Sequence, residues 1–339
     1  MKDIKEYLKS RRLIMDGAMG TFFSETAGSE AGIVELANLN APEIIEGIHK
    51  SYLEAGAMLI RTNTFAAGME TLGINEETQE ELIMAACRIA KAAVDKVSKN
   101  PEDRAFVAGD IGPIHENADS SEEVVLAEYI RMCDIFIAED VDVILFETFS
   151  DLKYIRKLVK YIKSKKDIFI MANFSLNKNG FTANGISASN LLKEIAHIDE
   201  IDACGFNCGI GSGHMNSVMH KIKFPSGKYI ACLPNAGYPE QMQNRMIFLD
   251  NAEYFADNMI SIADIGIDIL GGCCGTNPDY IKLLAKRMDL TPVKKSALIE
   301  NGTAEAVTEI RANDFYAKLE SGDKVIAVEL DPPFDADYE

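Results

Sequence analysis

The chain has 339 residues, 47% hydrophobic and 26% charged, which is the balance of a globular protein able to build its own core. Its net charge of −19 excludes nucleic acid as a main partner, because phosphates need clustered Lys and Arg. The opening MKDIKEYLKSRR lacks an apolar h-region, and no run of about 18 apolar residues follows, so neither a secretory signal nor a membrane span is expected.

The chain repeats one phrase, an amphipathic helix followed by a short apolar strand. In PEIIEGIHKSYLEAGAMLIRTNTF, Pro42 suits a first helical turn and Ile44, Ile45, Ile48 and Tyr52 keep helical spacing. Gly56 can close that helix before the strand MLIRTNTF begins. YIRMCDIFIAEDVDVILFETF and NAEYFADNMISIADIGIDILGGCCG repeat the pattern. In chain order, strands are expected at 13–16, 58–62, 106–109, 143–146, 168–172, 203–207, 229–233 and 267–271. Most are continuously apolar, as parallel strands covered on both faces must be. Eight such units predict an α/β fold of the (β/α)₈ TIM-barrel type. A doubly wound sheet is disfavoured, since no GxGxxG follows the first strand.

The barrel is expected over residues 1–290, followed by a polar linker over 291–322. A new strand, KVIAVEL, then opens a further segment over 323–339, which reads as the start of a truncated second module. The seven cysteines are odd in number and no signal precedes them, so free thiols in a cytoplasmic setting are expected.

In a parallel barrel, functional side chains collect at the C-terminal ends of the strands. There the sequence places Asp16-Gly17-Ala18, Asn63, Asp110, Glu147, Cys208, Asn235 and the pair Cys273-Cys274. The three cysteines come from the sixth and eighth strands, whose ends lie roughly 10 Å apart. Their side chains can reach one ion if the glycines at 271, 272 and 275 bend the backbone so that neighbouring sulfurs face the same way. Three thiolates favour zinc and leave a fourth position open. Such a centre suits the holding of an incoming thiol as a nucleophilic thiolate, and therefore alkyl transfer to sulfur. The same residues also fit three buried thiols, or a vicinal-thiol redox pair. Cys87, Cys133, Cys204 and Cys232 read as core packing, and His115, His214 and His220 are not expected to be ligands.

Taken together, DGAMGT, NTF, GDIGP, FETFSD, GFNCG and GGCCGT resemble the homocysteine S-methyltransferase family, and within it the homocysteine-binding barrels of cobalamin-dependent methionine synthases. The tail VIAVELDPP is similar to the beginning of a methylenetetrahydrofolate reductase domain, the order of modules in bifunctional proteins. The resemblance implies a Zn²⁺ ion on Cys208, Cys273 and Cys274, with Asn235 in the fourth position when substrate is absent. It implies L-homocysteine as methyl acceptor and methionine as product. Glu147 and Asp110 then face the amino group, the turn at Asp16, Gly17, Ala18 and onward to Thr21 faces the carboxylate, and Asn63 lies on the rim. The donor classes it leaves open are methylcobalamin, a sulfonium compound or a folate-linked methyl; the absence of Trp disfavours betaine. A zinc-stabilised scaffold without catalysis is the remaining alternative.

Overall fold

A computed structural model describes residues 3–28, 32–115, 121–237, 239–242, 245–248 and 251–292. The linker and reductase-like start expected beyond 290 lie outside the described residues, apart from 291 and 292.

All eight expected strands form. They are β1 (Leu13–Ile14), β2 (Leu59–Arg61), β3 (Phe106–Ile111), β4 (Val143–Phe149), β5 (Phe169–Phe174), β6 (Ala203–Gly211), β7 (Tyr229–Asn235) and, after a two-stranded hairpin made by β8 (Pro239–Met242) and β9 (Arg245–Phe248), β10 (Ile269–Leu270). The parallel order runs β1-β10-β7-β6-β5-β4-β3-β2. A parallel bridge between Met15 and Leu59 joins the two ends, making a (β/α)₈ barrel. The hairpin was not expected. Neither was the helix Ile4–Ser10, whose Asp3 cap accepts from the Lys5 amide.

Two cores follow from strand alternation. Side chains pointing outwards, such as Ile60, Val107, Ile144, Ile170 and Phe206, pack against the helices. Those pointing inwards, such as Leu13, Leu59, Phe106, Val143, Leu145 and Met171, fill the barrel. The first helix plugs its lower end with Ile4, Tyr7 and Leu8, and Tyr7 meets Phe106 edge-on at 5.8 Å between ring centres. The filling is apolar below and polar above. Continuing the inward positions upward reaches Arg61, Asp110, Glu147, Asn173 and Asn207, all buried.

The strands β3, β4, β6 and β7 run two to four residues further than their apolar runs predict. Asp110, Glu147, Cys208 and Asn235 therefore lie on strands rather than in the turns beyond them. Apolarity ends where the barrel lining turns polar, whereas the backbone ladder continues. Among the described residues, no helix is long and apolar enough to cross a membrane.

Candidate metal and substrate site

Cys208, Cys273 and Cys274 come together at the C-terminal rim, their sulfurs all within 4.8 Å of one another. The Cys208 and Cys274 sulfurs are 3.7 Å apart. Two sulfurs on one tetrahedral ion at ~2.3 Å stand about 3.8 Å apart, so the Cys208–Cys274 spacing matches that of two zinc ligands and the spacings to Cys273 lie within about 1 Å of it.

Two backbone devices aim the sulfurs. Cys208 itself takes φ 55, a left-handed conformation inside an irregular stretch of β6 where pairing with β7 shifts between Asn207 and Gly211. Beyond β10, the Cys273 amide donates to the Pro234 carbonyl at 2.9 Å, and the Cys274 carbonyl accepts from the Ala236 amide at 3.0 Å. The pair thus straddles Asn235. Of the glycines credited with bending this segment, Gly275 does so, at φ 79. Gly272 serves a different end, because a Cβ there would sit 2.3 Å from Thr276 Oγ1, the hydroxyl that donates to the Cys273 carbonyl.

The three thiols share their protons unequally. Hydrogen bonds from Cys273 and then Cys274 pull Cys208 down to about 3. Cys273 is pushed up to about 11 by the Cys208 thiolate it donates to, and Cys274 is raised by Cys208 and Cys273 together. The other four cysteines belong to the outer core between strands and helices. Burial pushes Cys87 up to about 12 and raises Cys133 and Cys232 further, as inert packing thiols require.

The cluster opens into a cavity of about 390 Å³, which Arg61, Asn63, Asp110, Glu147 and Thr148 also line. Arg61 organises it. Its Nε donates to Asp16 Oδ1 at 2.8 Å, one Nη donates to Glu147 Oε1, and the other reaches the carbonyls of Gly17 and Gly272 at 2.5 and 3.0 Å. Burial raises Asp16 to about 6 against the pull of Arg61, and raises Glu147 in the same way. Asp110 is raised well above the carboxylate range, first by burial and then by Glu147, with which it shares a hydrogen bond. Its Oδ1 has no partner among the described residues. One guanidinium against three carboxyls leaves the pocket short of positive charge.

The Ala18 amide is spent on Thr276 Oγ1 at 3.2 Å, and the Ala18 carbonyl accepts from Tyr52 at 2.7 Å. The Gly17 carbonyl is taken by Arg61. Ala18 still lines the cavity, together with Met19, Gly20 and Thr21, where the helix Gly20–Ala27 starts without a side-chain cap. Its first amides suit an anion. Asn63 lines the cavity but ties down the preceding loop, donating to the Val34 carbonyl at 2.7 Å and to Asn38 Oδ1 at 3.0 Å. Asn235 is buried at the end of β7, and its Oδ1 has no partner among the described residues. An orphaned oxygen between the residues that hold Cys273 and Cys274 fits a fourth ligand.

Sequence reasoning missed Arg61, Asn207 and Thr148. Arg61 carried a signal: a charge within the apolar run MLIRTNTF must find buried partners. Asn207 carried none beyond its place before Cys208.

A (β/α)₈ barrel with three clustered cysteines and an acidic pocket at its C-terminal mouth is thus defined. The homocysteine S-methyltransferase family profile matches residues 13–288, and the chain belongs to that family. The methionine synthase of Mycobacterium leprae (strain TN) is 26% identical over 301 residues, covering 84% of this chain; the chain spans only 25% of that relative's length. The metallated form of the homocysteine methyltransferase MmuM from Escherichia coli superposes with a TM-score of 0.68 at 20% identity, covering 84% of this chain and 99% of that one. Its oxidized form gives 0.67 at 22% identity, covering 82% and 96%. These likenesses speak for the fold.

Proposed function

We propose that this chain transfers a methyl group to the thiol of L-homocysteine, giving methionine, and that it works with zinc held by Cys208, Cys273 and Cys274. One observation carries the reading: in a chain of this family, three sulfurs lie within 4.8 Å of one another beside a buried acidic pocket. Asn235 is the proposed fourth ligand while substrate is absent. When bound, zinc supplies a Lewis acid that keeps a thiol deprotonated at neutral pH without destroying its nucleophilicity.

The protein's own groups do the rest. Glu147 and Asp110, which both line the cavity, receive the substrate's ammonium; its charge favours ionisation of the raised Asp110, whose Oδ1 has no other partner among the described residues. The amides at Met19, Gly20 and Thr21 receive its carboxylate. The bound substrate then points its sulfur at the cysteine cluster. That sulfur forms a bond to the donor's methyl carbon as the carbon–donor bond breaks, its electron pair leaving with the donor. Holding acceptor and donor in line supplies most of what the barrel can add. The donor classes remain methylcobalamin, a sulfonium compound and a folate-linked methyl. The segment 323–339 is proposed as the start of a reductase-like module, on the resemblance of VIAVELDPP.

The test is zinc stoichiometry followed by homocysteine calorimetry, in the wild type and in Cys273→Ser. One zinc per chain is expected, with homocysteine binding that disappears with the metal. A metal-free protein with reversible thiol inactivation would favour a redox enzyme instead. Bound zinc without homocysteine binding would favour a structural scaffold.

A further inference from the structure

We propose that Asn207 is a positioning residue that fixes the distance between the amino-group pocket and the sulfur cluster, and so selects homocysteine over the shorter cysteine. The proposal rests on the reading of the site as a zinc and homocysteine site. Asn207 is fully buried on β6. Its side chain grips Thr148 twice: Oδ1 accepts from the Thr148 amide at 3.0 Å, and Nδ2 donates to Thr148 Oγ1 at 2.7 Å. The same nitrogen lies 3.1 Å from Glu147 Oε1 and 3.8 Å from Cys273 Sγ. An amide nitrogen carries two hydrogens. Thr148 takes one, and the other is shared between Glu147 and Cys273. A single side chain therefore touches the carboxylate proposed for the ammonium and a sulfur proposed for the metal.

The backbone on both sides of this grip is unusual. Thr148 sits at φ 64 and Cys208 at φ 55. β4 loses register with β5 between Phe146 and Phe149, and β6 loses register with β7 between Asn207 and Gly211. Non-glycine residues stay in the left-handed region only where their surroundings hold them there. Asn207 is the side chain that bridges the two irregular stretches, across the intervening β5. Released from it, Glu147 and Cys208 have a regular strand to relax towards, and the spacing between them changes.

That spacing matters to substrate choice. Glu147 Oε1 and Cys273 Sγ both lie within reach of one nitrogen, and homocysteine must present its ammonium and sulfur to that span. Homocysteine has one methylene more than cysteine between these groups. Rigid pockets discriminate a methylene by roughly 10- to 200-fold.

The experiment measures the dissociation constants of homocysteine and cysteine by calorimetry on the zinc-loaded protein, for the wild type, Asn207→Ala and Asn173→Ala. Asn173 is an equally buried, inward-facing amide on β5, and neither of its side-chain polar atoms has a partner among the described residues. The homocysteine preference is expected to fall by about tenfold or more in Asn207→Ala, with zinc still at one per chain, and to hold in Asn173→Ala. An unchanged preference in Asn207→Ala, or an equal fall in both variants, overturns the proposal. Should Asn207→Ala fail to fold, Asn207→Leu carries the same test, because it fills nearly the same space while removing the acceptor for the Thr148 amide and both donated hydrogens. A wild type that binds zinc but no homocysteine overturns the functional reading instead, and is told apart by that result.

Discussion

Arg61 and Asp16 are joined twice in the barrel mouth: the Arg61 side chain donates to Asp16 Oδ1 and the Arg61 backbone amide donates to Asp16 Oδ2, each at 2.8 Å. This pair closes the seam between β1 and β2, the place where the barrel has only one bridge. Both partners are buried.

Arg61→Met should therefore lower stability by about 3–5 kcal/mol, because it leaves the Asp16 and Glu147 carboxylates buried without their countercharge. Lysine is not expected to rescue, since one ammonium cannot reproduce a fork that meets two carboxylates and two carbonyls. Chemical denaturation of the two variants checks this. Stability within 1 kcal/mol of wild type would show that the carboxyls simply take up protons.

Metal binding should release protons. In the metal-free protein Cys208 holds the thiolate, while Cys273, at about 11, and Cys274, raised above it, keep their protons at neutral pH. Zinc needs thiolates, so about two protons leave per ion and affinity rises with pH. Calorimetry in buffers of different ionisation enthalpy counts them. Zinc uptake without proton release would contradict the order given for the three thiols.

Glu147→Gln should weaken homocysteine binding by roughly 10- to 100-fold, the worth of one charge-assisted hydrogen bond, without altering zinc content. Glu147 touches Arg61, Asn207 and Asp110 rather than the sulfurs. Loss of zinc in this variant would instead place Glu147 in the metal's own support.

His49 makes stability fall in acid. It is buried in the helix Pro42–Glu54, neither ring nitrogen has a partner among the described residues, and burial pushes it down to about 4, with Glu46 opposing weakly. The folded chain keeps His49 neutral, whereas the unfolded chain protonates it below about 6.5. Stability from this residue is thus full above pH 6.5 and is lost as pH falls towards 4, by about 3 kcal/mol. His49→Phe should flatten that part of the pH–stability curve. A curve of unchanged slope would mean that the ring finds a proton acceptor.

Much of the barrel was legible because each βα unit announces itself locally. Ile44, Ile45, Ile48 and Tyr52 mark a helix face whatever surrounds them, and the apolar runs after it mark strands. The hairpin at 239–242 and 245–248 escaped because PEQM and RMIF carry no apolar alternation. The cysteine cluster was legible as a set, since strand ends of a barrel share one rim. The bend that aims Cys208 was not, because nothing in GFNCG marks a non-glycine residue for the left-handed region.

By itself, then, the sequence determined eight repeating units and which residues reach the C-terminal rim, because apolar periodicity is a property of neighbours along the chain. Only the tertiary structure decided that Cys208 meets Cys274 at 3.7 Å, that Arg61 stands between Asp16 and Glu147, and that Asn207 ties Thr148 to the cluster. Those relationships depend on register and on two local irregularities. A slip of one residue turns a strand side chain to the opposite face, and spacing along the chain cannot report where such slips occur.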